Sequence, residues 1–152
     1  MNHSIIKGGV VASCFLFFTL LFAACDLETS GNGKLDGFWH LESVDTLNGG
    51  FSDLSQKRMF WAFQKDLLEL TDRDNVHPRC LMRFERDGGT LRLTEPYLYD
   101  RESGEGDHPL TEPDYLIPFG VNGVSETFTV EKLTESRMIL STDRLRLNFT
   151  KF

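Results

Sequence analysis

Residues 137–152 read RMILSTDRLRLNFTKF, and their two-residue alternation decides the fold. From Arg144 onward, Leu145, Leu147, Phe149 and Lys151 fall on one face of an extended chain, and Arg144, Arg146, Asn148 and Thr150 fall on the other. That period belongs to a half-buried β-strand, because successive side chains of a strand point to opposite faces. The same pattern recurs upstream. Arg137–Ser141 and Glu126–Leu133 precede it, the latter with Phe128 and Val130 on one face. Thr90–Thr94 alternates Leu91 and Leu93 against Arg92, and Arg79–Arg86 ends at Asp87-Gly88-Gly89, a hairpin turn. Asp66–Thr71 contributes Leu68 and Leu70, and Lys57–Gln64 contributes Met59, Trp61 and Phe63. Gly37–Asp45 places Trp39 and Leu41 against His40 and Glu42, and Asn48-Gly49-Gly50 breaks it.

No amphipathic helix of ten residues or more interrupts this series. The pattern predicts an all-β domain, a small eight-stranded antiparallel up-and-down β-barrel, whose closure removes exposed sheet edges. A long polar stretch from Glu95 to about Asn122 holds four of the five prolines and reads as a loop. Its aromatic and apolar residues, Tyr97, Tyr99, Tyr115, Leu116, Ile117 and Phe119, either meet a ligand at the barrel mouth or fold back as a lid that completes the core.

The first residues have a different character. Met1–Lys7 carries the amino terminus and Lys7, the thirteen residues Val10–Phe22 are uncharged, and Ala23-Ala24-Cys25 follows. These are the three regions of a secretory signal, and the apolar run falls short of the about 20 residues of a membrane-spanning helix. The expected organisation is a signal peptide over 1–24, a polar tether over 25–36 and the barrel over 37–152. Leu21-Phe22-Ala23-Ala24-Cys25 resembles the lipobox of bacterial lipoproteins, with Phe22 where Leu is usual. That resemblance implies a diacylglycerol on the Cys25 thiol, further acylation such as palmitate, and attachment to a membrane of the bacterial cell envelope, on the periplasmic or the surface-exposed side. Each buried CH₂ of such chains adds about 0.8 kcal/mol of membrane affinity.

Gly37-Phe38-Trp39 stands directly after the tether, where lipocalins carry a G-x-W. Together with the tail from Phe128 to Phe152, it resembles the lipocalin-like lipoproteins of Bacteroidetes. Met59–Leu70 and Glu95–Asp100 are similar to one uncharacterised branch of that group. The resemblance spans about residues 36–152 and implies a fold and an envelope location, but no activity. In a closed meander the first and last strands are antiparallel neighbours, so Trp39 and Lys151 should meet. The resemblance adds that a cation of the last strand covers the Trp39 ring, Lys151 first and Arg144 or Arg146 in its place. Gly37, Trp39 and Lys151 would then form a structural barrel bottom.

Chemistry leaves few marks. The chain has 16 basic and 23 acidic residues. Without the leader, whose only charged side chain is Lys7, 15 basic face 23 acidic residues, a net charge of −8. Phosphate backbones repel such a domain, so nucleic acid is not an expected partner. Cys80 is the lone cysteine of the mature domain and reads as a buried structural thiol. His40, His77 and His108 lack metal-ligand spacing, and His40 is expected outward and solvated. The acidic run Asp100–Asp107 departs from an EF-hand and reads as a solvated loop. No nucleophile elbow or phosphate loop is present. The expectation is a protein that is not an enzyme and uses no cofactor or metal.

Two functions follow. A small apolar ligand or glycan fragment would sit against Trp61, Phe63, Leu70, Phe84, Leu93 and Phe128, with Tyr97, Tyr99 and Tyr115 at the mouth. Alternatively, the barrel is filled by those side chains and docks another envelope protein through its exterior. Eight-stranded barrels are just wide enough for their own side chains to fill them.

Overall fold

The computed structural model describes residues 31–152; residues 1–24, expected to form a signal peptide, and Cys25 lie outside the described residues. Ten strands follow in order: β1 (Gly37–Thr46), β2 (Phe51–Asp53), β3 (Met59–Gln64), β4 (Leu67–Asp72), β5 (Cys80–Asp87), β6 (Thr90–Leu98), β7 (His108–Pro109), β8 (Glu126–Leu133), β9 (Arg137–Ser141) and β10 (Leu145–Lys151). Eight of them make a closed antiparallel barrel in the order β1-β3-β4-β5-β6-β8-β9-β10, and β10 returns to pair with β1. The family of alternating segments in the sequence therefore closes as an eight-stranded up-and-down barrel.

The two additional strands are short and lie outside the staves. β2 pairs with the second half of β1, and β7 pairs with the end of β6. Neither is amphipathic: Phe51, Ser52 and Asp53 are all exposed, so no buried face announced β2. β6 also runs further than its alternation suggests. It continues through Glu95 and Pro96 to Leu98 because a bulge opposite Leu81–Arg83, with Glu95 at φ +51°, absorbs the proline.

The registers define two ends. Gly37, the β3–β4 turn at Lys65–Asp66, the β5–β6 turn at Gly88–Gly89 and Lys151 lie at the end where the described chain enters, here called the bottom. The β4–β5 loop, the long β7–β8 connection and the β9–β10 turn lie at the other end, the mouth. One apolar cluster runs between them and includes Trp39, Leu41, Trp61, Phe63, Leu70, Phe84, Leu93, Phe128 and Phe149.

Candidate functional site

The bottom is built from the first and last strands. Trp39 stands opposite Lys151 in the β1–β10 register and opposite Trp61 in the β1–β3 register. The Lys151 ammonium lies 5.0 Å from the Trp39 ring centroid, a cation–π distance. The ammonium also donates to the Lys34 carbonyl at 3.0 Å, and the Trp39 indole N–H donates to the Leu35 carbonyl at 2.9 Å. These two acceptors belong to a single 3₁₀ turn, Gly33–Leu35, that precedes β1. Leu35, placed in the tether by the sequence, is 1% exposed and part of the core. Gly37 takes φ +110°, and a side chain there would meet the Lys151 Cε at 3.1 Å. Arg144 and Arg146 are not at the bottom: both belong to the mouth half of the last hairpin, and Arg146 pairs with Glu131 at 2.8 Å.

The interior holds the six residues that the sequence offered as a ligand wall. Trp61, Leu70, Leu93 and Phe128 are completely buried, and Phe63 and Phe84 nearly so. Their rings pack against one another and against Phe149. The Trp61 ring lies 5.0 Å from Phe149 and 5.8 Å from Phe128, both edge to face, and Phe63 meets Phe84 at 5.0 Å. Such edge-to-face pairs add about 0.5–1.5 kcal/mol beyond their burial.

At the mouth, the β7–β8 connection folds back into the barrel. Leu116, Phe119 and Val121 are completely buried. A 3₁₀ turn, Ile117–Phe119, brings Phe119 down, and Gly120 leaves it at φ +85°. A Cβ on Gly120 would stand 2.6 Å from Leu147 of β10, so only glycine lets the lid lie this close. The Trp61 indole N–H donates to the Phe119 carbonyl at 3.0 Å. The Glu126 carboxylate accepts from the Asn122 amide at 2.6 Å and ties down the lid's far end. Burial pushes the Glu126 carboxyl above the usual glutamate range. Cys80 lies under the same lid with its thiol toward the Pro78 and Tyr115 carbonyls, and burial pushes it up to about 11. A thiol held there stays protonated and is a poor nucleophile at neutral pH.

The three tyrosines do not join the interior residues. Tyr97 and Tyr115 are exposed, and Tyr99 is on the outer wall between two guanidinium groups, 4.6 Å from Arg79 and 5.5 Å from Arg101. Tyr99 flanks a groove of about 900 Å³ that crosses the outside of β4 near the mouth. Glu69 and Thr71 form its floor, with the Thr71 hydroxyl donating to Glu69 at 2.7 Å. Phe38 and Arg73 line the opposite wall. The Arg73 guanidinium is held over aromatic faces, 4.9 Å from Phe60, 5.5 Å from Phe38 and 5.6 Å from Phe152. That contact explains why Phe60, on the outer face of β3, is only 4% exposed. No sequence signal placed these residues together: Phe38, Arg73, Arg79 and Tyr99 come from three separate segments, the two arginines from the ends of the β4–β5 loop.

The polar residues around the groove are organised by one another. Asp72 accepts the amides of Asp74, Val76 and His77 and shapes the β4–β5 loop. Asp100 accepts the amides of Glu102 and Ser103, the Ser103 hydroxyl and a His108 ring nitrogen. Chiefly the Ser103 hydrogen bonds, and then His108, hold its carboxyl well below the usual carboxylate range. The acidic run is thus an ordered turn, and among the described residues no group of three acidic, histidine or cysteine side chains could hold a metal. His40 is outward but not solvated: its ring nitrogens meet Glu42 at 2.9 Å and the Lys57 carbonyl at 2.6 Å.

The comparisons with known proteins agree with this architecture. The model of a lipocalin-like domain family matches residues 20–152. Among solved structures, the chain is similar to a lipocalin-like protein from Bacteroides uniformis ATCC 8492, at 21% identity and a TM-score of 0.60, covering 79% of this chain and 100% of that one. It is also similar to an uncharacterized protein from Bacteroides eggerthii DSM 20697, at 20% identity and a TM-score of 0.55, covering 78% of this chain and 99% of that one. No curated protein matches.

Proposed function

The chain belongs to the lipocalin-like domain family, and from that premise we propose that it is a non-enzymatic binding module, lipid-anchored through Cys25 in a bacterial cell envelope, whose filled barrel presents its exterior to a partner. One observation carries the reading: Trp61, Phe128, Phe149 and the inserted Phe119 occupy the volume that an apolar ligand would need. A barrel with this packing is a rigid support, and its recognition surfaces are the loops and outer walls.

The anchor rests on the leader and on Ala23-Ala24-Cys25. Gly31 follows Cys25 by six positions, a reach of at most about 20 Å. The described chain enters at the bottom, so an acylated Cys25 would keep that end near the membrane and turn the lid and the outer groove away from it.

Two measurements test the reading. A fluorescent fatty acid should not enter the wild-type protein; saturable uptake that quenches Trp61 would show a ligand-holding interior and sink the filled-barrel reading. A clickable palmitate analogue should label the wild-type chain and not Cys25→Ser, with Cys25→Ser released from the membrane fraction. Equal labelling of the two would remove the anchor.

A further inference from the structure

We propose that the outer groove across β4 binds a carboxylate-bearing saccharide; the proposal rests on the reading that this barrel works through its exterior. Arg73, Arg79 and Arg101 carry the argument. Each presents its guanidinium carbon to an aromatic face: Arg73 to Phe60, Phe38 and Phe152, and Arg79 and Arg101 to Tyr99. The ring contact leaves Arg73 and Arg79 exposed, each with a fork of N–H donors matched to a carboxylate. It also fixes a side chain that would otherwise lose rotamer freedom on binding. Arg73 has no carboxylate partner within salt-bridge distance among the described residues, and the ones near the other two are distant or shared. Arg79 is 3.9 Å from Glu69, and Arg101 is 3.2 Å from Asp107, which also caps the Asp100 amide.

The rest of the lining decides which kind of anion fits. Glu69 and Thr71 on the floor and Glu102 at the rim are acceptors. A chain of repeated carboxylates would be repelled by them. A sugar acid offers both partners at once, a carboxylate for the arginines and hydroxyl donors for the acidic side chains. Phe38, an exposed ring on the wall, gives an apolar surface against which a sugar ring can lie. A volume of about 900 Å³ is at the upper end of small-ligand sites, which suits two or three sugar units.

The test is calorimetric titration of the mature chain in detergent with trigalacturonate, with neutral maltotriose and tetraglutamate as the other probes. Trigalacturonate should bind, with affinity falling as salt is raised, and the other two should give no heat. Arg73→Ala and Arg79→Ala should each weaken binding by about tenfold, and Arg79→Lys, which keeps the charge but not the fork, should recover only part of it. Arg137→Ala, an exposed arginine at the bottom, should change nothing. If Arg73→Ala lowers the melting temperature, Arg101→Ala, outside the barrel staves, supplies the same comparison. Absence of heat with trigalacturonate, equal binding of maltotriose, or tighter binding of tetraglutamate would each overturn the proposal. Failure of the titration with fatty acid still excluded sinks the groove alone; fatty acid uptake sinks the exterior reading itself.

Discussion

The two ends of this barrel are closed by different means. At the bottom, strand register does the work: the antiparallel pairing of β1 with β10 sets Lys151 opposite Trp39, and a single turn before β1 supplies the carbonyls that both side chains need. At the mouth, a long connection with little regular structure turns inward and inserts Leu116, Phe119 and Val121. The bottom is closed by residues of the staves and of the turn that leads directly into β1. The mouth is closed by residues far from any stave, held through one indole hydrogen bond, one carboxylate and close packing on Leu147. The barrel therefore has one end fixed by strand register and one end fixed by insertion.

Substitutions can break that contrast. The largest effect is expected from Trp39→Ala, which empties the bottom of the core and should lower unfolding stability by about 3–5 kcal/mol. Urea denaturation checks it, and an unchanged midpoint would deny Trp39 its role. Phe119→Ala should cost somewhat less, about 3 kcal/mol, because the lid can settle partly into the space. It should also do what the bottom variant does not, letting an apolar dye into the upper barrel; a dye-free Phe119→Ala protein would show that the lid closes nothing. Lys151→Met keeps the length of the side chain and removes the charge, and should cost about 0.5–2 kcal/mol for the lost cation–π contact. A double-mutant cycle with Trp39→Leu, which removes the aromatic face, isolates that contact, and additive single effects would refute it.

The smallest effect concerns pH at the mouth. The Glu126 carboxyl is pushed up by burial, so its folded value stands above its unfolded one. As pH falls through that range the folded state takes up the proton first, and this group's contribution to stability rises. Asp100 and Asp74 act in the opposite sense: their carboxyls are held low, so their contribution is present above the ordinary aspartate range and is lost as pH falls through the folded value. Glu126→Gln should therefore raise the melting temperature slightly at neutral pH and lose that advantage near the usual glutamate range. A gain that persists unchanged into acid would mean that burial of the charge is not what the substitution relieves.

How much of this was legible depends on where each residue lies. Trp39, Leu41, Trp61, Phe63, Leu70, Phe128 and Phe149 are readable as core because they alternate on staves, and the proximity of residues 39 and 151 follows once the meander is closed. Leu35 was not readable: it stands in a glycine-rich polar stretch, and its turn docks through the Trp39 indole and the Lys151 ammonium, which the local sequence does not announce. Phe119 was readable as lid or ligand contact but not as one of the two, since a loop has no period that tells inward from outward. β2 and β7 carry no apolar alternation and were invisible.

The sequence by itself determined the class of fold, the order of the staves and the ends that must meet, because side-chain direction in a strand has a fixed period and a closed sheet leaves no choice of partner. Only the tertiary structure decided that the lid is part of the core, and that three arginines set against aromatic rings border one groove. Those facts depend on the packing of residues far apart in the chain, and packing is set by the volume left between elements and by no local pattern.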